Sequence, residues 1–131
     1  MINNKYGDQH FYDYTINGWL PESFKVPRFM SEYGVQSLPS YSTLSKAYSM
    51  PDDAEYFGKL NEHRQHHGDG NQQIINAIEK NLKIPNCTDQ ERNLKNIIYL
   101  SQINQAMTLK TATELFRRKK NVIDSETGKI N

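Results

Sequence analysis

Only two stretches of this 131-residue chain read as β-strands, and everything after Gly34 reads as loop or helix. Two strands cannot close a barrel, and a parallel pair left by itself keeps both edges without partners. The pattern is therefore α/β, but it is a pattern that needs company. Composition agrees: apolar residues make up 36% and mean hydropathy is -0.83. A chain of this size must bury about two-thirds of its unfolded surface to fold alone. Here the apolar residues come in patches, near the two strands and in isoleucine-rich helices.

The first strand-like stretch is His10-Phe11-Tyr12-Asp13-Tyr14, short, aromatic and alternating. Alternation puts His10, Tyr12 and Tyr14 on one face. Asn17-Gly18 marks a turn, and a loop runs from Trp19 to Pro27. The second strand is expected over Arg28 to Tyr33, with Arg28, Met30 and Glu32 sharing a face. An ordinary strand-end glutamate is a surface residue. This one is preceded by an arginine on its own face, which favours an ionised carboxylate, and is followed by Tyr33-Gly34, where glycine permits a sharp turn. A carboxylate at the C-terminal tip of a strand is where barrel enzymes carry catalytic groups.

Downstream, Pro39 and Pro51 punctuate a loop region over 35–58, and Ser40 to Leu44 opens a short helix. Asn71 is expected to cap a helix over Gln72 to Leu82 that buries Ile74, Ile75, Ile78 and Leu82. Thr88, with Glu91 three residues on, reads as the capping box of the longest helix, which runs to about Lys120. Leu94, Ile97, Ile98, Ile103, Met107 and Leu115 give that helix its apolar faces. Arg117 to Lys120 form a solvated basic end, and Asp124 to Lys129 form a polar turn.

Net charge is +1, so no global field recruits nucleic acid or an anionic membrane. No run approaches the ~18 apolar residues of a membrane span. The single cysteine, Cys87, excludes an internal disulfide framework. Asn86-Cys87-Thr88 is a glycosylation sequon that chance explains in so asparagine-rich a chain. His63-Arg64-Gln65-His66-His67 has helical spacing for a metal pair, but no cysteine or acid stands at a spacing that would complete the set. Polar packing ahead of the next helix is the expectation there.

Three blocks together resemble the β-mannosidases of glycoside hydrolase family 2, lysosomal type. They are Tyr6-Gly7-Asp8-Gln9-His10-Phe11-Tyr12-Asp13-Tyr14, then Arg28-Phe29-Met30-Ser31-Glu32-Tyr33-Gly34 followed by Gln36-Ser37 and Pro39-Ser40, then the histidine block at 63–67. The resemblance runs from Tyr6 to about Asp124. It implies that residues 1–131 are a fragment of a catalytic (β/α)8 barrel, covering about strands six and seven and the helices that follow. Glu32 would be the nucleophile of a retaining glycosidase that removes terminal, non-reducing β-D-mannose from oligosaccharides by double displacement. A tyrosine of the preceding strand can hydrogen-bond that nucleophile; Tyr12 is the first choice and Tyr14 the reserve. His10 would donate to a sugar hydroxyl. Trp19 would stack on a sugar ring or pack between loops.

The family's acid/base glutamate ends strand four in an Asn-Glu pair. Here Asn61-Glu62 is the only such pair, and it lies downstream of Glu32 in the wrong context. The resemblance thus implies that the acid lies upstream of this chain and the eighth strand beyond Asn131, and that the fragment alone is inactive. It implies no cofactor or metal, partnership with the remainder of its own barrel, and a lysosomal location. Two other readings stay open. One is a related family 2 enzyme, a β-galactosidase or β-glucuronidase. The other is a non-catalytic helical interaction protein using the faces of 72–82 and 91–120.

Overall fold

A computed structural model describes residues 7–120. The expected polar turn at 124–129, and Tyr6, lie outside the described residues. Within them the order is strand β1 (Gln9–Phe11), a 3-10 turn (Pro21–Ser23), strand β2 (Met30–Tyr33), then helices α1 (Tyr41–Leu44), α2 (Lys59–Arg64), α3 (Gly70–Glu79) and α4 (Gln90–Lys119). The chain divides into two units. One takes in residues up to 35 and from 106 on, the other residues 36–105.

In the first unit β1 and β2 pair in parallel, with Gln9 opposite Met30, His10 opposite Glu32 and Phe11 opposite Tyr33. Ser31 has no partner in that register, so β2 carries one extra residue. Both strands are shorter than the sequence pattern suggests, and the bulge breaks the expected alternation: Ser31 and Glu32 are both exposed. Arg28 falls outside β2 and is exposed, so the row Arg28-Met30-Glu32 does not form. Gly34 is not a left-handed turn either. Its N–H continues the ladder to the Phe11 carbonyl at 3.2 Å.

The Phe11–Tyr33 pair faces inward. Phe11 meets Phe24 with ring centroids 5.5 Å apart, and Tyr33 meets Phe116 edge-on at 5.2 Å. The Tyr33 and Thr113 hydroxyls are 2.7 Å apart. Phe24, Ala112 and Leu115 are the buried centre of this cluster. Gly18 lies so close to Thr108 that a Cβ there would come 2.4 Å from its Oγ1. With Phe11 and Tyr33 turned inward, the neighbouring His10–Glu32 pair is presented outward.

The second unit has the larger core: Tyr48, Ala54, Tyr56, Ile74, Ile78, Leu94, Ile97 and Ile98. α2, unassigned in the sequence reading, closes its polar side. The Tyr48 hydroxyl donates to Asn61 Oδ1, and Asn61 Nδ2 donates to the Glu55 carbonyl at 2.8 Å. Asn71 is not a cap but a buried helix residue; it donates to Glu62 and accepts from Gln65. The residue ahead of α3 is Asp69, in a left-handed conformation at φ 56°. In α4 Asp89 rather than Thr88 provides the cap, its Oδ1 accepting the Arg92 N–H at 2.9 Å. Glu91, freed from a capping box, accepts from Tyr41 and from Lys95 at 2.6 Å.

The buried stripe of α4 is more polar than expected. Ile103 and Met107 are only half-buried, while Ser101, Asn104 and Thr108 are buried. Ser101 explains how: its hydroxyl donates to the Ile98 carbonyl at 2.8 Å and accepts the Leu38 N–H at 3.1 Å. A small hydroxyl satisfied in this way is buried without leaving an orphan donor.

Candidate active site

Glu32 stands one residue before the end of β2, opposite His10. Its Oε2 accepts from the Tyr12 hydroxyl at 3.2 Å and lies 3.6 Å from His10 Nδ1. Tyr12 follows β1 directly, so the parallel pairing brings it beside Glu32. Desolvation, and then the hydrogen bond to Glu32, push the Tyr12 phenol above its ordinary pKa. It therefore stays a protonated donor at neutral pH.

The other nitrogen of His10, Nε2, is 3.4 Å from Asp8 Oδ2. Asp8 in turn accepts the Ser31 N–H on Oδ1 at 3.0 Å and the Ser31 hydroxyl on Oδ2. Those bonds, the Ser31 hydroxyl first, hold the Asp8 carboxyl below the usual carboxylate range. The sequence pattern alone assigns no role to Asp8 or Ser31. The alternation that groups His10 with Tyr12 extends back to Asp8, and that was the available signal.

Of the other residues singled out, Tyr14 lies past the end of β1 in a bend, half-buried, where strand alternation no longer directs it. Trp19 is half-buried in the turn after Gly18, its backbone N–H donating to Asn17 Oδ1 at 3.1 Å. In the histidine block Gln65 makes the interior contacts. Its Nε2 reaches Gln36 Oε1 at 3.1 Å and Asn71 Oδ1 at 3.2 Å, while His63, His66 and His67 are exposed. Among the described residues no group of three or more histidine, cysteine, aspartate or glutamate side chains is arranged to hold a metal ion.

The assembled set is one outward carboxylate with a tyrosine donor and an imidazole on the same oxygen, and a second carboxylate behind the imidazole. A carboxylate oriented in this way can act as a nucleophile or as a charge stabiliser. It cannot complete acid–base chemistry with Asp8, whose bonds to Ser31 keep it ionised.

No protein-family profile matches the chain. It is 47% identical over 123 residues to the β-mannosidase of Capra hircus and 46% identical over 123 residues to that of Bos taurus, each match covering 94% of this chain. It is 33% identical over 136 residues to a probable β-mannosidase of Caenorhabditis elegans, a match covering 93% of this chain. The chain spans only 14% of the length of the two mammalian relatives. By sequence, then, it is homologous over nearly all of its own length to one stretch of the β-mannosidases.

Proposed function

We propose that the chain is the part of a β-mannosidase catalytic barrel that carries the nucleophile, with β1 and β2 as its sixth and seventh strands and Glu32 as the attacking carboxylate. The observation that carries this reading is the Tyr12–Glu32 hydrogen bond at the tip of a parallel pair, 3.2 Å long. It joins two residues that the resemblance had already put in those roles. Tyr12 and His10 both address Oε2, which leaves Oε1 to attack the anomeric carbon. The substrate is a terminal β-D-mannoside. A retaining glycosidase needs a second carboxyl about 5–5.5 Å from the first as acid and then base. Asp8 does not fit that role, so the acid comes from another part of the barrel. The same reading places the enzyme in the lysosome.

The test is a chimera: Capra hircus β-mannosidase with its matching stretch replaced by this chain. Incubation with 2-deoxy-2-fluoro-β-D-mannosyl fluoride is expected to leave a stable glycosyl ester on Glu32, located by peptide mass. An active chimera labelled at another residue would overturn the assignment. So would Glu32→Gln retaining more than about a hundredth of the chimera's kcat, against the 10²–10⁴-fold effects usual for single catalytic groups.

A further inference from the structure

The bulge in β2 and the imidazole beside Glu32 share one anchor. Ser31, the residue with no opposite number in the strand register, gives its N–H to Asp8 Oδ1 at 3.0 Å and its hydroxyl to Asp8 Oδ2. That same Oδ2 is 3.4 Å from His10 Nε2, and His10 Nδ1 is 3.6 Å from Glu32 Oε2. A bulge bends its strand and re-aims the side chain next to it. Here the re-aimed side chain is Glu32, brought opposite His10 where an unbroken register from the Gln9–Met30 pair would set it opposite Phe11.

We infer that Asp8 is a positioning residue of this site. Its carboxylate holds the bulged backbone and the His10 ring in one arrangement, so that His10 and Tyr12 fix Glu32 through the same oxygen. This deepens the proposal above and rests on it.

The chemistry suits the role. An imidazole has a ring nitrogen on each side. Between Asp8 and Glu32 each nitrogen faces a carboxylate oxygen, at 3.4 and 3.6 Å. Ser31 satisfies Asp8 from behind, so the carboxylate is fixed before the imidazole meets it. The imidazole stands between Asp8 and Glu32. The effect of Asp8 on the reaction passes through His10 and the backbone at Ser31.

The fluorosugar provides a direct reading, because fluoride departs without an acid. The new C–O bond forms from Glu32 as the C–F bond breaks, so the labelling rate reports on the nucleophile alone. In the chimera, Asp8→Asn and His10→Gln are each expected to slow labelling about tenfold. The double variant is expected to lose less than the product of the two single losses, since the part of the Asp8 effect that passes through His10 is already gone with it. Additive losses, or labelling at the parent rate in either single variant, overturn the inference. Should Asp8→Asn fail to fold, Asp8→Glu enters the same cycle under the same criterion. If the unmutated chimera is labelled at a residue other than Glu32, the underlying functional reading fails instead, and that outcome is distinct from the rest.

Discussion

At the scale of single residues, the site depends on two shifted side chains: Tyr12, raised by desolvation and then by its bond to Glu32, and Asp8, lowered first by the Ser31 hydroxyl. Tyr12 is a donor to a charged acceptor while 52% exposed, so removing its hydroxyl touches function more than stability. A hydrogen bond to a charged group is stronger than one to a neutral acceptor, and here it orients the carboxylate. Tyr12→Phe in the chimera is therefore expected to lower kcat about 10–100-fold with little change in melting temperature. Steady-state kinetics beside a thermal melt check this. Asp8 is held below its ordinary pKa by Ser31, so the folded state binds its proton less readily than the unfolded chain. The stabilisation is fully present above the unfolded value of about 3.9 and is lost as pH falls through the lower folded value. A melting-temperature difference between the chimera and Asp8→Asn should accordingly be present at neutral pH and shrink in strong acid. A difference that grows on acidification would contradict the Asp8–Ser31 bonding.

At the scale of elements, the sequence gives existence better than edges. Both strands, the short helix at Tyr41 and the two longer helices could be read from aromatic alternation and from isoleucines at helical spacing. The caps could not. Asn71 and Thr88 have suitable side chains, but Asn71 is drawn into the interior by Glu62 and Gln65, and Asp89 stands one residue closer to α4 than Thr88 does. The bulge at Ser31 is invisible to any rule of strict alternation, because it arises from a partner 23 positions away in sequence. The polar stripe of α4 is hidden from the sequence pattern for a related reason. Ser101 is buried by virtue of a bond from Leu38, 63 positions distant. Two substitutions test these assignments. Asp89→Ala removes the acceptor of the Arg92 N–H, and loss of an N-cap costs about 1 kcal/mol. Gly18→Ala would drive a methyl to within 2.4 Å of the Thr108 hydroxyl, an overpacking that costs about 1–3 kcal/mol. Chemical denaturation of the chimera reads both, and a neutral Gly18→Ala would mean that the turn at Asn17-Gly18 is not packed on α4 as described.

At the scale of the whole chain, the two units are unequally equipped. Residues 36–105 enclose a core with eight buried members, including Ile78 and Leu94 at 0% exposure. The unit bearing the candidate site has three buried members and leaves Phe29 61% exposed, beside a shallow cavity of about 250 Å³ that it lines with Arg28, Phe116 and Arg117. Among the described residues its strand pair has an open edge on each side, which neighbouring strands would cover in the proposed barrel. Local stability follows buried apolar contact. In the isolated chain, hydrogen exchange is thus expected to be slow in α3 and the first half of α4, and fast in β1 and β2. The apparent mass from light scattering is expected to rise with concentration, and no β-mannoside should be hydrolysed. The competing idea of a free-standing helical interaction protein predicts cooperative protection of both units and a monodisperse species. Slow exchange across β1 and β2 in a monodisperse chain would therefore favour that idea, because a strand pair stable without neighbours would not need a barrel to complete it.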